Sequence, residues 1–226
     1  MKIAIDGPAG AGKSTIAKAL AKKIGFIYVD TGAMYRAIGL FVMDNKLDMQ
    51  DEEQLREALN GVSLDIGYED GVQQVYLNGE NVTSRIRTEA AGSMASQVSA
   101  ILVVREKLVE LQQELGRRSD VVMDGRDIGT VVLPDAELKV YFTASSRVRA
   151  ERRYRELLEK GIVSTIEEVE ADIIARDYRD MHRKHSPLKQ ADDAVLLDSS
   201  EMTISEVLQA MLDLVAEKKP EILNAN

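Results

Sequence analysis

The 226-residue sequence contains no cysteine, which excludes disulfide bonds and metal sites built from thiolates. It also contains no apolar run close to the roughly 18 residues that a membrane span requires. The Gly7-Pro8 dipeptide comes too early to leave room for the apolar segment of a secretory signal. From these absences we expect a soluble, cytoplasmic protein without a membrane partner.

Basic residues are fewer than acidic ones, and the net charge of −9 argues against a nucleic-acid partner. Arginines are nevertheless clustered in two segments: Arg147, Arg149, Arg152, Arg153 and Arg155, then Arg176, Arg179 and Arg183. In an acidic protein such clusters are candidates for binding small anionic ligands. The alternative is a solvated helix face on which nearby glutamates balance the arginines.

Short apolar runs alternate with helical patterns along most of the chain. Residues 2–6 form one such run, and Lys13–Ile24 follows with helical periodicity. From Val62 to Thr83 the hydrophobic period changes to two, with a hairpin signal at Asn78-Gly79. The sequence therefore predicts an α/β fold with a parallel sheet covered on both faces and a small antiparallel insert.

Two later helices have clear start signals. Thr165 with Glu168, and Thr203 with Glu206, fit the capping box in which each side chain bonds the other residue's backbone N–H. We expect helices to begin at both places.

The segment GPAGAGKS, Gly7 to Ser14, matches the phosphate-binding loop pattern in full. Its glycines let backbone N–H groups surround a β-phosphate, Lys13 offers a charge to the β and γ oxygens, and Ser14 is placed to ligate Mg²⁺. The loop follows a predicted strand and precedes a predicted helix, which is the context that the motif requires. The predicted ATP contacts here are Gly7, Pro8, Ala9, Gly10, Ala11, Gly12, Lys13, Ser14 and Thr15.

The segment NKLD, Asn45 to Asp48, spells the guanine-reading motif of GTPases, so a nucleotide-dependent switch has to be considered. A GTPase also needs D-x-x-G to sense the γ-phosphate, and no Asp in the sequence has Gly three positions later. We therefore interpret NKLD as a polar loop that ends a helix.

Histidine is scarce. His182 and His185 both lie in a polar segment, and we expect them to be solvated, so no general base stands out. A phosphate acceptor needs none, because it is already an anionic nucleophile and catalysis is then positioning and charge neutralisation. An alcohol acceptor would require a carboxylate base, for which Asp30 and Asp127 are candidates.

Several stretches resemble the bacterial cytidylate kinases, nucleoside monophosphate kinases that phosphorylate CMP and dCMP with MgATP: IDGPAGAGKST, DTGAMYR, ASQVSAILVVRE, DGRDIGTVVLPDA and RDYRDMHR. The resemblance runs from residue 3 to about residue 215. It implies a P-loop three-layer sandwich with a five-stranded parallel sheet, a β insert and a helical lid. The implied core is 1–60, 118–145 and 186–226, with the monophosphate-binding insert at about 61–117 and the lid at about 146–185.

The resemblance also implies roles for acceptor-binding residues. Thr31, where the family has Ser, lies with Tyr35 and Arg36 in the segment that lines CMP, and Arg36 would bind its phosphate. The other implied CMP contacts are Ser96, Arg105 and Asp127 at the cytosine edge, Arg126 between the phosphates, and Arg176, Asp180 and Arg183 at the sugar and phosphates. The last three are spaced i, i+4 and i+7, which places them on one helix face.

Arg149 and Arg153 resemble the lid pair of the family, with Arg149 assigned to ATP, although Arg152 could replace either. The implied catalytic set is Lys13, Arg36, Arg126 and Arg153. The resemblance predicts a monomeric enzyme of pyrimidine nucleotide metabolism that makes CDP and dCDP with ATP and Mg²⁺. The alternatives are a P-loop kinase for another small acceptor such as UMP, and a nucleotide-dependent switch.

Overall fold

The computed structural model describes residues 1–224. Its strands are β1 (Lys2–Asp6), β2 (Ile27–Asp30), β3 (Leu64–Glu69), β4 (Val72–Leu77), β5 (Glu80–Asn81), β6 (Val121–Gly125), β7 (Leu138–Thr143) and β8 (Val195–Asp198). Its α-helices are α1 (Lys13–Ile24), α2 (Thr31–Asp44), α3 (Glu52–Asn60), α4 (Glu89–Val98), α5 (Leu102–Arg118), α6 (Ser146–Glu159), α7 (Ile166–His182), α8 (Ile204–Lys218) and α9 (Glu221–Asn224). A 3₁₀ turn spans Arg85–Arg87 and a π-helical segment spans Ile128–Val132.

The chain forms two compact units. The first contains Met1–Tyr28 and the residues from Ser119 onward, and the second is Val29–Arg118. These two units divide the chain at other positions than the core, insert and lid boundaries that the family resemblance implies. Those boundaries stay a prediction.

The main sheet has five parallel strands in the order β2-β6-β1-β7-β8. In the register of β1 and β6, Ile5 lies beside Asp124 and Asp6 lies beside Gly125. Because the carboxyl ends of parallel strands share one edge of a sheet, the loops that follow β1 and β6 emerge side by side.

Helix α1 packs on this sheet through the apolar face that its periodicity predicts. Ile16 and Leu20 are buried with Ile3 and Ile5 of β1, and Met211 of α8 belongs to the same cluster. Each fully buried side chain of this kind contributes about 1.5–3 kcal/mol, so this cluster fixes the helix behind the phosphate loop.

The predicted helix starts are confirmed. Thr165 and Glu168 form a reciprocal capping box at the start of α7, and Thr203 and Glu206 form another at the start of α8. Each threonine cap contributes about 1 kcal/mol. These caps fix where each helix begins.

In the second unit, β3, β4 and β5 form the small antiparallel sheet that the period of two predicts. The turn between β4 and β5 has Asn78 and Gly79 at φ 51° and 81°, the conformation for which this dipeptide is suited. Helices α2 and α4 approach closely at Gly39, where a Cβ atom would lie 3.0 Å from the Cγ atom of Met94.

The predicted α/β class, with its five-stranded parallel sheet, flanking helices and small antiparallel sheet, is confirmed. Across residues 1–224, we find no helix that combines the length and the apolar character needed to cross a membrane.

Candidate active site

The loop between β1 and α1 has the backbone that a phosphate site requires. Gly7 has φ 151°, and a Cβ atom on it would lie only 1.9 Å from the carbonyl oxygen of Phe142, so a side chain here is sterically excluded. Gly12, at φ 97°, is the N-cap of α1 and makes no side-chain cap hydrogen bond. The N–H groups of the first helical turn are therefore available to an anion, which the helix dipole also favours.

Lys13 is buried at the start of α1, with 5% of its surface exposed, and its Nζ donates to the carbonyl oxygen of Pro8 at 2.6 Å. Burial lowers the pKa of Lys13 to about 7, and the charge of Arg126 acts in the same direction. Asp124 and Asp6 act in the opposite direction. The positive charge of Lys13 is therefore only partly balanced by carboxylates of the protein, and an anion bound at the loop would balance the rest.

Ser14 is hydrogen-bonded to a carboxylate at the end of β6. Its Oγ donates to Asp124 at 2.9 Å, and the Tyr28 hydroxyl donates to the other carboxylate oxygen at 2.8 Å. A hydroxyl beside a carboxylate suits Mg²⁺, which takes one or two protein oxygens and completes its shell with phosphate and water. In the described part of the chain, we find no group of three or more acidic or histidine side chains arranged to hold a metal ion.

Two buried carboxylates of this site, Asp124 and Asp6, are not among the residues predicted from the sequence. Asp6 is buried at the end of β1 and accepts from the backbone N–H groups of Ile128 and Gly129, each at 2.7 Å. Burial raises the pKa of Asp6 to about 6, against the lowering effect of these two hydrogen bonds. Asp6 therefore fixes the segment that directly follows Arg126 and Asp127.

Arg126 and Asp180, both predicted site residues, form an ion pair. Arg126 Nε donates to the Asp180 carboxylate at 2.9 Å, and the Asp180 side chain is 7% exposed. Burial favours a raised pKa for Asp180, but the charge and hydrogen bond of Arg126, with the charge of Arg176, hold its pKa below the usual value. Asp180 is therefore a carboxylate that orients Arg126.

A second buried pair joins two more of the predicted residues. A terminal nitrogen of Arg183 lies 3.4 Å from the Asp127 carboxylate, and Arg183 Nε donates to the carbonyl oxygen of Ser186 at 2.6 Å. Arg176 is close enough to Asp180 and Lys13 to affect the pKa of both. The first unit thus contains five of the predicted CMP contacts: Arg126, Asp127, Arg176, Asp180 and Arg183.

The arginines of α6 differ sharply in environment. Arg149 is buried and donates to the carbonyl oxygen of Ala9 at 3.0 Å and to Asp177 at 2.6 Å, so it links the phosphate loop to α7. Arg152 donates to the carbonyl oxygens of Ala11, at 2.9 Å, and of Ser199, at 2.9 Å. Arg153 is 30% exposed and pairs with Glu156 one turn later in α6.

The second unit contains the remaining predicted residues. Asp30 caps α2 by accepting from the Ala33 N–H at 2.9 Å, and its other oxygen accepts from Arg36 at 3.1 Å. The Arg36 side chain is 30% exposed, and its Nε makes no hydrogen bond to the described residues. Thr31 is buried beside Asp30 at the start of the helix.

Tyr35 and Arg105 lie against each other in this unit. The Arg105 guanidinium is 5.6 Å from the centre of the Tyr35 ring, and it donates to the carbonyl oxygen of Ser99 at 3.1 Å. Ser96 is half-buried one turn earlier in α4, and its carbonyl accepts from the Ser99 hydroxyl. Tyr35, Ser96 and Arg105 thus belong to one packed region.

Comparison with known proteins gives a consistent result. The family model described as cytidylate kinase matches residues 3–217. A protein from Lactobacillus johnsonii named cytidylate kinase is 50% identical over 219 residues, covering 97% of this chain and 95% of that protein. One of the same name from Caldicellulosiruptor saccharolyticus is 51% identical over 214 residues, covering 95% of each chain. An uncharacterized protein from Eubacterium ventriosum of known structure has a TM-score of 0.55 at 10% identity, covers 96% of this chain and 98% of its own, and is similar in fold alone.

Proposed function

Because the chain belongs to the cytidylate kinase family, we propose that it transfers the γ-phosphoryl group of ATP to CMP, giving ADP and CDP. The family match over residues 3–217 carries this conclusion, since it includes the phosphate loop and every predicted site residue. We also propose dCMP as an acceptor and dCDP as its product, within pyrimidine nucleotide metabolism.

On the donor side, the loop from Gly7 to Thr15 binds the ATP phosphates. The first-turn N–H groups of α1 contact the β-phosphate, and Lys13 neutralises the β and γ oxygens. Ser14, supported by Asp124, would hold Mg²⁺. Magnesium, when bound, neutralises the phosphate oxygens and orients the γ-phosphoryl group for transfer.

On the acceptor side, Arg36 binds the phosphate of CMP. Its exposed fraction and the unused Nε donor support this role, and the pair with Asp30 holds the side chain before the acceptor arrives. The further CMP contacts that we propose in this unit are Thr31, Tyr35, Ser96 and Arg105. In the other unit we propose Arg126, Asp127, Arg176, Asp180 and Arg183.

The chemistry requires no general base. An anionic oxygen of the CMP phosphate attacks the γ-phosphorus, the bond from that phosphorus to the bridging oxygen breaks, and ADP leaves. Lys13, Arg36 and Arg126 neutralise the charge that develops, which is how enzymes stabilise phosphoryl transfer.

Among the α6 arginines, we propose Arg153 as the one that reaches the transferred phosphate. Arg149 already donates to Ala144, Ala9 and Asp177, so its effect on ATP binding is exerted through the loop carbonyl of Ala9. We further propose that the protein acts as a cytoplasmic monomer with nucleotides as its partners; the net charge of −9 supports the exclusion of nucleic acid.

The test is ADP release from MgATP with CMP, dCMP, UMP, AMP, GMP or shikimate supplied one at a time, plus a blank without acceptor. We expect rapid turnover with CMP and dCMP alone. Turnover with UMP alone would reassign the acceptor, and ADP release in the blank alone would replace the kinase with a nucleotide hydrolase.

A further inference from the structure

The amide side chain of Gln73 in β4 is hydrogen-bonded to Asp30, the residue that caps α2, and we infer that Gln73 is a positioning residue for Arg36. The inference rests on the proposed function, because it assigns a purpose to Gln73 only if Arg36 binds the acceptor phosphate. All of the residues concerned lie within the second unit.

The Gln73 side chain makes two hydrogen bonds to the backbone of one residue, one as acceptor and one as donor. Its Oε1 accepts from the Asp30 N–H at 2.8 Å, and its Nε2 donates to the Asp30 carbonyl oxygen at 3.3 Å. One contact needs an acceptor and the other needs a donor, so the amide can face only one way. Gln73 therefore pairs with both the N–H and the carbonyl oxygen of Asp30, as the backbone of a neighbouring strand would.

Asp30 transmits this constraint to Arg36. One carboxylate oxygen of Asp30 caps α2 at Ala33 and the other accepts from Arg36 at 3.1 Å. The region is tight: a Cβ atom on Gly32 would lie 3.1 Å from the Asp30 carboxylate and 3.5 Å from the Arg36 guanidinium. A shift of the Asp30 backbone would therefore move both the helix cap and the guanidinium.

The hairpin itself does not require this glutamine. β3 and β4 pair from Leu64↔Leu77 to Glu69↔Val72, so the strand is held by its own ladder. Gln73 is only 7% exposed, and a buried amide is unfavourable unless its hydrogen bonds are made. An apolar side chain of the same length would fill the space without that penalty. The presence of a glutamine at this position therefore points to its hydrogen bonds with Asp30.

The experiment compares Gln73→Met and Gln73→Glu with a matched control, Gln74→Met. Gln74 follows Gln73 in β4, so its side chain points to the opposite face of the sheet. Its amide contacts Val72 and Asn81 instead of Asp30. The measurements are kcat, KM for CMP, KM for ATP, the melting temperature, and hydrogen exchange of the segment 29–40 in the ligand-free protein.

For Gln73→Met we expect KM for CMP to rise about tenfold, which corresponds to about 1.4 kcal/mol of binding free energy. KM for ATP should stay within about twofold, a split that a merely structural role would not produce. Exchange at the start of α2 should be faster than in Gln74→Met, whose KM for CMP should match that of the wild type.

Gln73→Glu keeps the test decisive if the methionine variant does not fold. A protonated carboxyl accepts on one oxygen and donates from the other, as the amide does, whereas the carboxylate can only accept. KM for CMP in this variant should therefore approach the wild-type value as the pH is lowered from 8 to 6, and diverge from it as the pH rises.

An unchanged KM for CMP in both Gln73 variants, with wild-type exchange at α2, would overturn the inference. Equal increases in KM for CMP and for ATP would also overturn it, because they would indicate general loosening. A wild-type protein without CMP kinase activity would instead refute the proposed function, and the role of Gln73 in catalysis with it.

Discussion

Lys13 should take up a proton when ATP binds above neutral pH. Burial, with the charge of Arg126, lowers its pKa to about 7 in the nucleotide-free protein. At that pKa about one-tenth of the Lys13 side chains are charged at pH 8 and about nine-tenths at pH 6. The phosphates of ATP favour the charged form and return the pKa towards its usual range. Lys13 should therefore take up about 0.9 proton per ATP at pH 8 and only about 0.1 at pH 6.

Isothermal titration calorimetry measures this uptake directly. MgATP is titrated at each pH in buffers of different ionisation enthalpy, and the slope of the observed enthalpy against ionisation enthalpy gives the number of protons. Asp6, with a pKa of about 6, is already ionised at pH 8 and adds nothing there. Lys22→Met, which removes an exposed lysine of the same helix, is the control and should leave the uptake unchanged. An uptake near zero at pH 8 would refute the assignment of a buried, largely neutral Lys13.

The pKa of Lys13 is lower in the folded protein than in the unfolded chain, so the unfolded chain binds more protons above pH 7. The free energy of unfolding should therefore rise from pH 7 to 9, as measured by urea denaturation. The Lys13→Met variant should show a smaller rise. Arg36→Ala should lower kcat for CMP by about 100-fold or more and leave the Kd for ATP within about twofold, as measured by kinetics and calorimetry. Arg149→Met should lower the melting temperature by about 10 °C, because this change leaves the buried Asp177 carboxylate without its ion-pair partner. Arg153→Met should leave the melting temperature nearly unchanged and should reduce kcat. Asp124→Asn should raise the Mg²⁺ concentration for half-maximal activity about tenfold in a magnesium titration.

The parts of the fold that depend on local chemistry are predictable from the sequence. The phosphate loop is one, since eight consecutive residues specify both the turn and the charge at its end. The Asn78-Gly79 turn is another, because its two positive φ angles suit that dipeptide. The capping boxes of α7 and α8 are also local, with two residues between partners.

The partners that support the site come from distant parts of the chain and are not visible in any short pattern. Ser14 and Asp124 are separated by 110 positions and meet because β1 and β6 are neighbours in the sheet. A signal did exist, namely an apolar run ending in Asp at the carboxyl end of a parallel strand. Gln73 and Asp30 have no such signal, since nothing in β4 indicates which backbone groups its amide will meet.

The arginines of α6 illustrate a different limit. Arg149, Arg152 and Arg153 lie within five residues of α6, and spacing alone cannot tell which of them turns inward. Burial decides the matter, since Arg149 is enclosed with Asp177 whereas Arg153 remains 30% exposed. The sequence predicts the presence of cationic groups here, and packing determines which of them contacts the phosphate loop.

The most direct test of the proposed function follows the γ-phosphoryl group itself. The protein is incubated with Mg²⁺, CMP and ATP labelled at the γ-phosphorus, and the labelled products are separated and identified. We predict that the label appears in the β-phosphate of CDP, with little in inorganic phosphate. Label found only in inorganic phosphate, or no transfer to CMP while ATP is consumed, would contradict the assignment of this chain as a kinase that phosphorylates CMP.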